Sequence, residues 1–152
     1  MNGRRPAAWS QGRACLEGTL RRAFWAPALV LLFWAVAAKG FDAYVLHPWL
    51  DMPTHFAGGV AIAYFVDTAV SQLERVLGPI HRVFRLTLSF AVTGIAAIWW
   101  EFLEFVSDVT LGTKMNLGVT DTLSDLLFGL LGGSGFVALA LWRRPAVAAD
   151  IH

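Results

Sequence analysis

Four long apolar segments divide this chain, and they restrict its fold more than any other feature. They run from about Ala23 to Ala38, Thr54 to Val70, Leu86 to Val106 and Thr122 to Trp142. A membrane helix needs about 20 apolar residues, and such a segment must be helical because lipid offers its backbone no hydrogen bonds. The chain is only 15% charged, whereas soluble domains carry about 25% charged residues. The sequence therefore predicts an all-α membrane protein, a bundle of four transmembrane helices.

Basic residues are unevenly distributed around these segments. Only Lys39 and Lys114 lie in the first and third connections, and the other basic residues lie before, between or after the segments on the opposite side: Arg4, Arg5, Arg13, Arg21, Arg22, Arg75, Arg82, Arg85, Arg143 and Arg144. Because cytoplasmic loops carry an excess of Lys and Arg, both termini are predicted to be cytoplasmic. We expect a multi-pass protein of the bacterial inner membrane. Asp67 lies toward the basic side and is predicted to pair with Arg75 or Arg82.

The predicted domain organisation has three parts. A basic N-terminal segment covers residues 1–21, a transmembrane domain covers 22–144, and a cytoplasmic tail covers 145–152. A cleaved signal peptide is the alternative for the first span, because Ala35-Val36-Ala37 has the small-x-small form of a cleavage site. Cys15 is the only cysteine, which excludes an intramolecular disulfide and a cysteine metal cluster. No basic and aromatic pattern indicates a nucleic-acid partner.

Three acidic patches lie at the same end of the last three segments. Their members are Asp51 and His55; Glu101, Glu104 and Asp108; and Asp121 and Asp125. Spacings of three, four and seven residues place each set on one helix face. Each face continues into small residues, which let membrane helices approach closely. We therefore expect the three patches to converge in one pocket that opens at the extracytoplasmic side.

The composition of these patches indicates a metal site. Carboxylates within a membrane are costly, and a functional role is the default interpretation. Oxygen ligands with one imidazole suit magnesium, manganese or calcium and leave zinc open. The predicted metal ligands are Asp51, His55, Glu101, Glu104, Asp108, Asp121 and Asp125. Glu101 and Glu104 are also the candidate catalytic residues, one of them acting as general acid or base.

Structural roles compete with the ligand role for five of these residues. Glu101 and Glu104 are also consistent with a pair that hydrogen-bonds between helices. His55 is also consistent with a hydrogen-bonded histidine at a helix end. Asp121 is also explained as a negative charge that favours the N-terminus of the fourth helix. Asp108 is also explained as a solvated side chain at the end of the third helix.

The same motifs carry a family resemblance. The patterns Asp51-x-x-x-His55-Phe56, Glu101-x-x-Glu104 and Asp121-x-x-x-Asp125 resemble those of the VanZ-like membrane proteins. The chain departs from them at Met52, Glu104 and Asp125, where that family usually has Lys, Gln and Asn. The match is closer to the uncharacterised YjdF-like bacterial inner-membrane proteins, whose Trp-Glu-x-x-Glu and Asp-Thr-x-x-Asp motifs are similar. This resemblance covers about residues 45–140 and implies a small polytopic bundle but no reaction.

Three function classes remain after these observations. The leading one is a metal-binding membrane protein that acts as an enzyme on a lipid-linked substrate at the outer face. The second is a non-enzymatic accessory or assembly subunit of a larger membrane complex. The third is a cation or proton transporter. The expected partners are membrane lipids, a lipid-linked substrate, and partner subunits or a second copy of the chain.

Overall fold

The described part of the chain, residues 8–143 of a computed structural model, is all-α and contains no strand. Its elements are α1 (Ala8–Ala23), α2 (Trp25–Gly40), α3 (Ala43–Leu46), a 3₁₀ turn (Pro48–Leu50), α4 (Asp51–Leu77), α5 (Arg82–Leu111) and α6 (Val119–Trp142). The predicted all-α class is confirmed over this range. The predicted tail, 145–152, and the first seven residues of the basic N-terminal segment lie outside the described residues.

Three helices are long and apolar enough to cross a membrane on their own, namely α4 with its preceding 3₁₀ turn, α5 and α6. The segment predicted as the first span forms α2, whose 16 residues extend over about 24 Å at 1.5 Å per residue. That length is less than the roughly 30 Å of a bilayer core. α1 and α2 qualify only as one span bent by 52°. The structure therefore provides three spans, or four if this bent pair is one, and the four-span prediction stays open.

The last three helices run antiparallel and sort the charged residues to opposite ends. α4 begins with Asp51, α5 holds Glu101 and Glu104 near its end, and α6 holds Asp125 near its start. Arginines 75, 82, 85 and 143 lie at the other end. This arrangement positions the acidic patches side by side, because α4, α5 and α6 all pack against one another.

Glycines bring α4 and α6 into backbone contact. A Cβ atom on Gly59 would meet the carbonyl oxygen of Gly129, and the backbone nitrogen of Gly133 at 3.1 Å. A Cβ atom on Gly132 would likewise meet the carbonyl oxygen of Phe56. Small residues permit such close approach between membrane helices. Packing of α4 on α6 is the most extensive helix contact in the described part of the chain.

Large apolar side chains cover the outside of the bundle, while its interior is made of small residues. Leu103, Phe105 and Leu127 are each more than half exposed. The buried apolar residues are mainly alanines, such as Ala61 and Ala63, together with glycines. A soluble protein of this size rarely exposes so continuous an apolar surface. The distribution is the one expected of a protein surrounded by lipid.

At the end away from the acids, Asp67 has a different partner from the one predicted. Arg85 Nε donates to Asp67 Oδ1 at 2.8 Å, and Arg85 also reaches Glu74 at 3.4 Å. Arg82 instead donates to the backbone carbonyls of Ala140 and Arg143, at the end of α6. The prediction of Arg75 or Arg82 was therefore wrong. The reason is the position of each arginine around the helix, since Arg85 lies on the face of α5 that meets α4.

Residues of the predicted N-terminal segment pack against the bundle through α1. The Cys15 thiol donates to the carbonyl of Gln72 at 3.3 Å, and Gly18 lies against the Gln72 side chain. Cys15 and Gln72 are both buried. α1 is therefore held on the end of α4 that is remote from Asp51.

Candidate acidic site

His55 lies between two carboxylates that come from different helices. Its Nε2 atom is 3.3 Å from Asp51 Oδ1, one turn earlier on α4, and 3.8 Å from Asp125 Oδ1 on α6. The Asp125 side chain is 2% exposed and that of His55 is 10% exposed. One ligand atom from each of the three residues lies within 4.8 Å of the others. A single cation has room to contact all three.

A second group of carboxylates also includes Asp125. Glu101, Glu104 and Asp125 each offer an oxygen within 4.8 Å of the others, and their exposed fractions are 7%, 4% and 2%. Both oxygens of Glu101, Oε2 of Glu104 and Oδ2 of Asp125 have no hydrogen-bond partner among the described residues. The Thr122 side chain approaches Glu101 but does not satisfy either oxygen. We call the five residues of the two groups, Asp51, His55, Glu101, Glu104 and Asp125, the acidic cluster.

The glycine contact between α4 and α6 explains why this cluster forms. Gly59 lies one helical turn beyond His55, and Gly129 lies one turn beyond Asp125. Side chains four residues apart share a helix face. The contact of Gly59 with Gly129 therefore aligns the faces that carry His55 and Asp125. Without it, larger side chains would separate the two helices and move Asp125 away from His55.

The structure brings together five of the seven predicted ligands, and the other two lie apart. Asp108 accepts hydrogen bonds from the Thr113 hydroxyl at 2.5 Å and from the backbone N–H groups of Met115 and Asn116 at 2.9 and 3.0 Å. Asp121 accepts one from the backbone N–H of Leu117 at 2.8 Å. Neither belongs to a group with metal-binding spacing in the described residues. Both carboxylates organise the connection between α5 and α6.

Two aromatic residues that were not predicted as site residues lie at or beside the cluster. Trp100 Nε1 donates to Glu104 Oε1 at 2.7 Å. The Tyr44 hydroxyl is 3.0 Å from that of Thr54, which also bonds the carbonyl of Leu50. Burial raises the pKa of Tyr44, and the nearby carboxylates of Asp51 and Glu104 also raise it. Tyr44 therefore remains a neutral phenol beside the cluster. A signal was available for Trp100, since it precedes Glu104 by four residues.

The fold and the site together define an integral membrane protein with buried carboxylates at one end of its helix bundle. Residues 7–146 match the model of a family described as predicted membrane protein (DUF2238). Because this match covers most of the chain, the protein belongs to that family. Comparison with curated proteins gives no match, and comparison with solved structures gives none either. The VanZ-like and YjdF-like resemblance is not tested by these findings and stays a prediction.

Proposed function

We propose that the acidic cluster binds a divalent metal ion. The observation that carries this proposal is the set of four buried carboxylate oxygens without a hydrogen-bond partner, on Glu101, Glu104 and Asp125. A buried polar atom that lacks a partner costs roughly 1–3 kcal/mol, and more if it is charged. Glu101, Glu104 and Asp125 each offer a carboxylate oxygen within 4.8 Å of the others, and these carboxylates repel each other when ionised. A cation among them removes both costs.

The donor set fits a hard or borderline ion. Four carboxylates and one imidazole are the ligands expected for magnesium, manganese or calcium, and they also accommodate zinc. Asp125 belongs to both groups, so it is the residue that would bridge two ions if both groups were filled. The side chain of Asp51 is 25% exposed, which provides a route by which an ion enters from the aqueous surface.

The proposal extends to a reaction on a lipid-linked substrate at the extracytoplasmic face of a bacterial inner membrane. The bound ion would supply the positive charge that polarises a phosphoryl or acyl oxygen. Glu101 and Glu104 are the residues proposed to accept or donate a proton. The hydrogen bond from Trp100 fixes one oxygen of Glu104 and leaves the other, Oε2, buried without a partner.

Metal binding by matched Glu→Gln variants tests the central claim. Purified protein in mild detergent is stripped with EDTA, dialysed and titrated with manganese, and free manganese is measured by electron paramagnetic resonance. We expect wild type and Glu17→Gln to bind manganese equally, because Glu17 is exposed on α1. We expect Glu101→Gln to bind at least tenfold more weakly, which corresponds to about 1.4 kcal/mol.

Thermal unfolding of the same samples separates ligand loss from misfolding. Glu101→Gln replaces an ionisable buried group by a neutral one of the same shape, so it should unfold at or above the wild-type temperature without metal. If manganese binds the folded wild-type protein, it should raise the unfolding temperature of that protein. Absence of manganese binding by the wild type, or full binding by a folded Glu101→Gln protein, would contradict the proposal.

A further inference from the structure

A cavity of about 250 Å³ runs from the acidic cluster toward the middle of the bundle. Asp51 and His55 lie at its polar end, and Ile62 on α4 lies at its inner end. From Asp51 to Ile62 the helix advances about 16 Å at 1.5 Å per residue. That distance is about half the thickness of a bilayer core. The cavity is therefore long, and it extends from the site into the hydrocarbon region.

Most of the cavity wall is apolar. Pro27, Val30 and Leu31 of α2 face Ala96 and Ala97 of α5 across it. Dry apolar cavities of about 150 Å³ accept small hydrocarbons in proteins, so a larger one at this depth is suited to an apolar occupant. Water would find few partners beyond the acidic end, because the remaining wall offers little hydrogen bonding.

The side of the cavity between α2 and α5 is closed mainly by one aromatic contact. α2 packs along α4 and makes few contacts with α5. Trp34 of α2 and Trp100 of α5 meet edge to face, with ring centroids 5.3 Å apart. Both rings line the cavity. Trp100 also donates to Glu104, so the side chain that closes this opening is bonded to the acidic cluster.

We propose that this cavity holds one hydrocarbon chain of a phosphate-bearing lipid that enters sideways between α2 and α5. The inference rests on the proposed function in one respect, since the bound cation would bridge the lipid phosphate to the carboxylates of the cluster. We assign a hydrocarbon occupant because the lipid tails that surround the bundle at this depth are themselves hydrocarbon. A helix about 10 Å across would need roughly 1,200 Å³ over the same 16 Å, so a peptide helix does not fit.

Gly58 offers a way to fill the cavity without disturbing the bundle. It lines the cavity, and the nearest atom to an added Cβ is Val30 Cγ1 at 4.0 Å. A leucine at this position would project into the space that the chain is proposed to occupy. Gly135 provides the matched control, because it lies on α6 away from the cavity and its added Cβ would meet only the Phe56 ring, at 3.7 Å.

Photolabelling in vesicles tests the proposal. The probe is phosphatidylglycerol with a diazirine in one acyl chain, and adducts are located by mass spectrometry. We expect wild type to carry adducts on Val30, Ile62 and Ala96, as well as on outward-facing residues such as Leu127. Gly58→Leu should lower adducts on the three cavity residues at least fivefold and leave Leu127 unchanged, and Gly135→Leu should match wild type.

Two results would overturn the inference. One is labelling of Leu127 with no label on the cavity residues, as expected if the cavity stays empty or another polypeptide covers it. The other is wild-type cavity labelling in a folded Gly58→Leu protein. Repeating the labelling in EDTA distinguishes this inference from the proposed metal site. Cavity adducts that persist in EDTA would support the lipid chain and contradict the bridging role of the cation, while the manganese titration decides whether the metal site exists.

Discussion

Among single residues, Asp125 has the most connected position in the acidic cluster. It is 3.8 Å from His55 and also belongs to the group formed with Glu101 and Glu104. Its side chain is almost fully buried, and one of its oxygens lacks a hydrogen-bond partner among the described residues. A buried carboxylate shared by two ligand groups should contribute to both. Its loss should therefore cost more than the loss of a peripheral acid.

The pair Asp125→Asn and Asp121→Asn tests this difference on one helix. Both changes remove one negative charge from the first two turns of α6, but Asp121 accepts a hydrogen bond from Leu117 and lies outside both ligand groups. We expect Asp125→Asn to weaken manganese binding at least a hundredfold, or about 2.7 kcal/mol, and Asp121→Asn to weaken it less than threefold. Equal effects in a titration of the folded proteins would show that general charge, not ligation, attracts the ion.

Residue spacing predicted the cluster, but it did not predict all of its partners. The separations of Asp51 from His55 and of Glu101 from Glu104 are helical spacings that do not depend on tertiary structure. Asp108 has suitable spacing too, yet the following loop turns back and binds it through Thr113. Gly112 permits that turn, with a φ of 66°. Such a competing interaction depends on loop geometry, which the helical pattern does not contain.

At the scale of helices, the packing of α4 on α6 depends on one of two adjacent glycines. Gly59 touches the backbone of α6, while Gly58 faces the cavity. Gly59→Ala places a methyl group against the Gly129 carbonyl, which cannot move aside as a side chain would. Overpacking of this kind typically costs about 1–3 kcal/mol and sometimes more. Gly58→Ala adds the same methyl group at a position with room for it.

We therefore expect the two alanine variants to differ in stability. Gly59→Ala should lower the free energy of unfolding by about 3 kcal/mol, measured by thermal or denaturant unfolding in detergent. Gly58→Ala should be neutral or slightly stabilising, because alanine favours a helix over glycine by roughly 1 kcal/mol. Since both variants gain this propensity, their difference reports the steric contact. A stable Gly59→Ala protein would show that the α4 and α6 backbones do not touch.

Helix existence was predictable here, whereas helix ends and the first span were not. Apolar content located the second, third and fourth segments, but α4 extends to Asp51 and Leu77, beyond its apolar part. Backbone hydrogen bonding continues through the polar turns at each end of the helix, so hydrophobicity alone does not predict where the helix ends. The bend before α2 was not predicted, although Pro27, the third residue of α2, is a signal for it. Proline has no N–H to donate to the carbonyl four residues earlier, that of Ala23, and its ring clashes with that carbonyl, which kinks or breaks a helix.

At the scale of the whole molecule, the charges define a polarity that membrane insertion should preserve. The acidic cluster lies at one end of α4, α5 and α6, and the arginines lie at the other. If basic residues stay in the cytoplasm, the loop between α5 and α6 faces outward and the loop between α4 and α5 faces inward. The proposed reaction on a lipid-linked substrate requires this orientation, because that substrate is placed at the extracytoplasmic face.

Cysteine accessibility in intact cells measures this orientation directly. The starting protein is Cys15→Ser, since Cys15 is the only native cysteine, and single cysteines are then introduced by Leu117→Cys and Leu77→Cys. These two leucines are similarly exposed, at 71% and 72%, and lie at opposite ends of the bundle. We expect a membrane-impermeant maleimide to label position 117 from outside and position 77 only after permeabilisation. The reverse pattern would place the acidic cluster at the cytoplasmic face, where the arginine distribution would no longer explain the topology.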